Sequence, residues 1–227
     1  MKRKLAAFAL CLAIVAPLLA QKKEEERLAN SAKVLQEILG KDLPKNILDQ
    51  GVCVLVYPSV KKVAIGIGAS YGRGVLVCRN GAKMDGDWGS PVMYSLDQGS
   101  LGLQLGSTAT DFVLVVTNQK AADQILSGKI KLGSNAAAAA GPTAAQAASF
   151  KAEDMKADVL TYSRSKGLFA GVSLSGASME ADKDANKALY GKEISVREIV
   201  TGSVTVPPAA KPLDSVLSQT SPALKSS

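Results

Sequence analysis

Histidine is absent from all 227 residues. That removes the usual proton carrier near neutral pH and the commonest transition-metal ligand. Serine–histidine and cysteine–histidine mechanisms are excluded with it. Cysteine is scarce: Cys11, Cys53 and Cys78 are the three present, and the last two alone make no zinc set. Aromatic residues are only 4% of the chain, with one tryptophan, Trp88. A bulky aromatic core is therefore out of reach. The 20 glycines, many inside apolar runs, favour packed strands with a small-residue face instead.

The N-terminus has the build of a secretory signal. Lys2, Arg3 and Lys4 precede an almost unbroken apolar run from Leu5 to Leu19, then Ala20 and polar Gln21. The run is short for a membrane span. Cys11 sits inside it rather than at its end, where a lipidated cysteine belongs. Residues 1–20 are thus expected to be removed, leaving a periplasmic or secreted protein, free or peripherally on a membrane. The net charge falls from +7 to +4, too little to argue for nucleic acid. An exported compartment permits a Cys53–Cys78 disulfide. Both residues also suit buried free thiols in apolar strands, and the sequence leaves the two readings open.

From Glu24 the pattern turns helical. Leu28, Ser31, Ala32, Leu35, Ile38 and Leu39 recur at spacings of three and four, and Gly40 can stop the helix. Such a helix either packs on the core, or lies on a membrane or meets a partner. Glu37 and Asp42 interrupt its positive charge, which favours the core.

Val52–Tyr57 reads as a buried strand ended by Pro58-Ser59. Val63–Ser70 is a second strand, Tyr71–Gly74 a turn and Val75–Arg79 the return. The glycines here lack a Gly-x-Gly-x-x-Gly turn feeding a helix, so they mark strand faces rather than a nucleotide loop. Asn80-Gly81 predicts a hairpin turn. Asp85 and Asp87 lack the ligand spacing of a calcium loop, and Trp88 reads as a plug at the sheet rim. Strands follow at Pro91–Leu96, Leu101–Leu105 and Thr110–Thr117, the last covered on both faces. Asn118 caps a helix over Gln119–Leu126. Lys129–Leu132 and Ala136–Ala140 are strand-like, and Ala144–Lys156 is a loop.

Val159–Ser163 and the segment from Leu168 read as two strands around a basic turn, Arg164–Gly167. Ser163 and Lys166 give a Ser-x-x-Lys spacing, but the serine of such a pair should begin a helix. Catalysis is not expected, nor a cofactor or metal. Asp182–Tyr190 is a helix stopped by Gly191, and Ser195 with Glu198 forms a capping box. Leu213, Val216 and Leu217 suit one last helical turn. Together these segments predict an α+β fold: a glycine-rich, mainly antiparallel β core able to close toward a barrel, with short packed helices.

Leu160–Val172, read Leu-Thr-Tyr-Ser-Arg-Ser-Lys-Gly-Leu-Phe-Ala-Gly-Val, resembles the signature of the SYLF family, also called Ysc84 or DUF500. Gly68–Val75, Gly102–Gly106 with Thr110–Leu114, Leu132-Gly133, Gly141-Pro142 and Asn186–Gly191 follow its order. The chain is similar to a signal-bearing bacterial member. The resemblance implies one domain over 21–208, followed by a tail at 209–227 that holds at most one short helix.

It also implies a non-enzymatic lipid-binding module that meets phospholipid or phosphoinositide-like anionic head groups peripherally. By position, the membrane-contacting basic segment of the family falls on Arg27, Lys33, Lys41 and Lys45. Arg73, Arg164 and Lys166, read as turn residues, are expected to add positive charge at one rim. The alternative is an envelope structural or protein-interaction module. Actin, a partner of eukaryotic members, is not expected here.

Overall fold

The computed structural model describes residues 2–39, 42–65, 67–98, 109–142, 157–165, 168–171 and 174–223. The segments expected at 101–105 and 144–156, with Lys41 and Lys166, lie outside the described residues. The chain opens with a long helix, α1 (Lys2–Ile38), and a short one, α2 (Lys45–Gln50). Four strands follow: β1 (Cys53–Ile65), β2 (Ile67–Cys78), β3 (Val92–Gln98) and β4 (Thr110–Val116). Helix α3 (Gln119–Ser127) leads to β5 (Ile130–Lys131) and β6 (Ala138–Ala140). Then come β7 (Val159–Ser165), β8 (Leu168–Gly171) and β9 (Ser178–Ala181). Helices α4 (Lys183–Tyr190), α5 (Val196–Val200) and, after a 3-10 turn, α6 (Lys211–Thr220) complete the chain.

The described strands form one sheet in the order β5-β9-β3-β2-β1-β4-β7-β6, with β8 also on β7. Every pair but β6–β7 is antiparallel. The edge strands β5 and β6 are neighbours in sequence and are tied by a bridge between Leu132 and Ala136. The sheet therefore curls into a half-barrel, with its edges brought together at one end.

Alternation along the strands divides the core in two. Cys53, Leu55, Tyr57, Phe112, Leu114 and Val116 point to the inner face, where Ile125 and Leu126 of α3 and Ile199 of α5 cover them. Val54, Val56, Val113 and Val115 point outward, beneath α1, α2, α4 and α6. The apolar stripe of α1 belongs to this outer layer: Leu28, Leu35 and Ile38 are fully buried. Each such side chain contributes about 1.5–3 kcal/mol of burial, so α1 is a core element rather than a membrane face over this stretch. The segment after residue 208 carries α6, whose Leu213 and Leu217 are buried in the same layer.

Local signals were met closely. Asn118 accepts from Ala121 N–H, and Ser195 and Glu198 complete both halves of the capping box. Gly191 closes α4 in the left-handed conformation at φ +71°. Buried Asn186 exchanges hydrogen bonds with the Met93 backbone at 2.8 and 3.1 Å, which fixes α4 against β3.

Three expectations need correction. Pro58-Ser59 does not end the first strand; it forms a register shift, with Ser59 at φ +53°, and β1 continues to Ile65. Tyr71–Gly74 is not a turn but part of β2, which pairs with both β1 and β3. The small faces have the expected use: a Cβ on Gly74 would collide with the Tyr57 ring, and one on Gly72 would come within 2.6 Å of Val60 Cγ2. Arg164 is not in a hairpin tip but inside β7, opposite Asp111 of β4. The β1–β2 register places Cys53 opposite Cys78, and in this structure their sulfurs are bonded.

The C-terminal segment is held by an unusual cage. Arg79 is 1% exposed and stacks on Trp88, 4.2 Å from the ring centroid. Its guanidinium donates to the carbonyls of Gly51, Gly86, Ser221 and Pro222 and to Ser221 Oγ. Trp88, the expected rim plug, is buried and donates through Nε1 to the Ser221 carbonyl at 2.8 Å.

Candidate functional site

A groove of about 410 Å³ opens where α1 passes the β1–β2 hairpin. Lys23 and Arg27 reach it from α1, Ser59 and Lys61 from β1, and Tyr71 and Arg73 from β2. Each placement follows from local geometry. Lys23 and Arg27 are one helical turn apart and share a face. Lys61 lies directly opposite Tyr71 across the β1–β2 ladder, and Arg73, two residues on, shares the face of Tyr71. The register shift at Pro58-Ser59 bends β1 at the groove wall. There the Ser59 N–H donates to Asp111 Oδ1 at 2.8 Å.

Behind the groove lies a charge cluster. Arg27 Nη2 stands 2.8 Å from Glu24 Oε2, and the Arg27 side chain is only 10% exposed. Asp182, the N-cap of α4, faces Arg27 Nη1 at 3.6 Å and Arg73 Nη1 at 3.5 Å. These are ion pairs at long range, and Arg27 Nη1 makes no hydrogen bond. Arg73 is half exposed and donates through Nε to the Tyr71 hydroxyl at 2.7 Å. Burial pushes the Glu24 carboxyl up against the pull of Arg27, and burial lowers the Arg27 guanidinium against Glu24 and Asp182. The hydrogen bond to Tyr71 raises Arg73. Counting Lys23, Lys61 and Glu26 at the groove, four cations face three carboxylates, so the cluster stays positive.

Of the residues expected to bind, the structure brings Arg27 and Arg73 together. Arg164 is spent on structure: Nε and Nη2 donate to Asp111 Oδ2 at 2.8 and 2.6 Å, and Nη1 pairs with Glu37 of α1. Through Asp111, which also accepts from the Ser59 N–H, it is linked to the groove wall. Lys33 is exposed on α1 away from the groove, and Lys45 pairs with Asp49 on α2. Lys23, Lys61 and the counter-ion Asp182 were missed. The Lys23/Arg27 spacing was a usable signal; the Lys61–Tyr71 pairing needed the hairpin register.

A second, larger groove of about 1030 Å³ lies between the end of α3, β9, α4 and α5. Its cations are largely paired within the protein, as in Lys129–Glu180 and Lys187–Glu193. Among the described residues, no cluster of three or more His, Cys, Asp or Glu is placed to hold a metal. Nor is any described helix long and apolar enough to cross a membrane.

Comparison with known proteins gives a consistent answer. The chain is 38% identical over 167 residues to the SH3 domain-containing protein PJ696.02 of Schizosaccharomyces pombe, covering 72% of this chain and 38% of that one. It is 33% identical over 201 residues to LAS seventeen-binding protein 3 of Saccharomyces cerevisiae, covering 86% and 43%. Against the human SH3 domain-containing YSC84-like protein 1 it is 29% identical over 201 residues, covering 86% and 58%. The chain thus spans between about two-fifths and three-fifths of these relatives' lengths. The family model described as "Las17-binding protein actin regulator" matches residues 97–220, more than half of the sequence, and the chain belongs to this Ysc84 (SYLF) family.

Proposed function

We propose that this protein is an exported, non-catalytic domain that contacts anionic phospholipid head groups peripherally. The observation that carries the reading is the convergence of Arg27 and Arg73, 46 positions apart in sequence, with Lys23 and Lys61 at one groove. Each basic residue near an anionic surface contributes about 1 kcal/mol, and Glu24, Glu26 and Asp182 offset part of the four, so the contact is weaker than the roughly millimolar affinity of about 4 kcal/mol. Contact of this kind is reversible and falls with salt. Export is supported by the signal-like residues 1–20 and by the Cys53–Cys78 bridge, which persists in oxidising compartments. The non-catalytic reading is supported by the absence of histidine and by a family described through binding. Replacing Lys23 and Lys61 by Glu should reduce sedimentation with phosphatidylglycerol vesicles without lowering the melting temperature. Undiminished sedimentation would sink the reading.

A second reading, a protein-interaction module, is favoured by the family description, which names Las17 binding and actin regulation. The sequence-based expectation that actin is no partner finds no support there. Co-sedimentation with purified actin filaments tests this reading; protein left wholly in the supernatant would count against it.

A further inference from the structure

Resting on the head-group reading, we propose that the groove at Arg27 and Arg73 is a discrete site for a terminal phosphate monoester, rather than one part of a diffuse positive rim. Three observations lead there. Arg27 is nine-tenths buried, yet its Nη1 meets no hydrogen-bond acceptor. A buried donor left unmet is costly, and here Nη1 stays unmet although the guanidinium faces Glu24 at 2.8 Å and Asp182 at 3.6 Å. Asp182 Oδ2 faces both guanidiniums, but at 3.5 and 3.6 Å, and it too makes no hydrogen bond. One carboxylate oxygen is thus shared between two arginines and satisfies neither.

The third observation is the mouth of the groove. Arg73 is half exposed and uses only Nε, on Tyr71, for hydrogen bonding. Lys61 lies across the ladder from that tyrosine, and Lys23 stands one turn from Arg27. Two planar forks and two point charges around one opening match a group with three charged oxygens. A phosphate monoester has those oxygens and a charge between −1.5 and −2. A diester has two charged oxygens and a single charge, so it leaves donors unmet. Arg73 and Lys61 would hold the phosphate at the mouth, with Arg27 as the fixed charge behind it. The monoester can come from a lipid, as in phosphatidic acid, or from a free metabolite.

The test uses the protein as it accumulates in the cell, and separates these sources. Vesicles of phosphatidylcholine containing phosphatidic acid are compared with vesicles containing phosphatidylglycerol at equal surface charge, and glycerol 3-phosphate is titrated by calorimetry. The site predicts about tenfold tighter binding to phosphatidic acid, the worth of about one charged hydrogen bond. Arg73→Gln and Lys61→Gln should each erase that preference with the melting temperature held, since both side chains are exposed. Saturable binding of glycerol 3-phosphate that Arg73→Gln abolishes, without vesicle binding, supports the site with a free metabolite as its ligand and removes the membrane reading. Equal binding to both vesicles, unchanged in the variants and with no heat from glycerol 3-phosphate, overturns the site and leaves the membrane reading standing. No binding to any of the three overturns both.

Discussion

Arg79→Met is the perturbation that most severely loads the fold. The arginine is 1% exposed, and no carboxylate among the described residues pairs with it. Its charge is met by four backbone carbonyls, by Ser221 Oγ at 2.6 Å and by the face of Trp88. Ser221 is the C-cap of α6, so the negative end of that helix also points at the guanidinium. Methionine fills much of the volume but donates to none of those carbonyls, of which Ser221 keeps a second donor, Trp88 Nε1. Hydrogen bonds from a charged donor are worth about 1.5–3 kcal/mol each, but they do not add. Removing one side of a buried charged network costs about 3–5 kcal/mol. At about 2–4 °C per kcal/mol for a chain of this size, the melting temperature should fall on the order of 10 °C. The assay is built in, because Trp88 is the single tryptophan and donates to Ser221. Its emission should shift to the red in the variant at room temperature, as the C-terminal segment leaves the cage. Arg79→Lys should fall between, since three donors on one nitrogen cannot span the carbonyls. A methionine variant that melts within about 1 °C of the parent, with unchanged emission, would refute the account of the cage.

Three further perturbations test other parts of the structure. Leu35→Ala in the buried stripe of α1 should cost about 2–5 kcal/mol in denaturant unfolding; a neutral result would return α1 to the surface. Intact mass before and after reduction should reveal the Cys53–Cys78 bridge, and reduction should cost about 3 kcal/mol for the 25-residue loop; two thiols alkylated without reductant would exclude it. Glu24 is held above its ordinary value of 4.5 by burial, so the fold binds its proton more tightly than the unfolded chain does. The stability of the parent relative to Glu24→Gln should therefore rise as pH falls through the folded pKa toward 4.5, and that gain is lost above it. A stability difference that is flat with pH would contradict the burial of that carboxyl.

Much of the fold was legible because its signals are local. Asn118, Ser195 with Glu198, and Gly191 act within four residues of themselves, and each end formed as expected. The outward and inward alternation of Val113–Val116 needs only a period of two. What failed depended on register. Gly72 and Gly74 look like turn residues one at a time, yet in the long β1–β2 pairing they become the thin face that admits Val60 and Tyr57. The same register decides Cys53–Cys78, and a bulge at Pro58-Ser59 sits inside it, so spacing alone could not choose between bridge and thiols.

The site was half legible for the same reason. Arg27 and Arg73 were both singled out, but Arg73 as a turn residue, and nothing in the sequence says that Asp182 comes between them. Arg164 shows the converse. A basic residue beside a glycine turn reads as a free cation, and only the β4–β7 pairing reveals Asp111 opposite it. The Arg79 cage joins residues 142 positions apart and left no local trace.

The central claim is reversible contact with anionic lipid surfaces, and quantitative flotation of the protein on vesicles tests it most directly. Phosphatidylcholine vesicles with a rising fraction of phosphatidylglycerol would be compared at low and high salt. Raising salt from about 0.1 M to about 1 M shortens the screening length from about 10 Å to about 3 Å. The account predicts a bound fraction that climbs with anionic content at low salt and collapses at high salt. Binding to pure phosphatidylcholine at both salt concentrations, or to no vesicle at all, would contradict it.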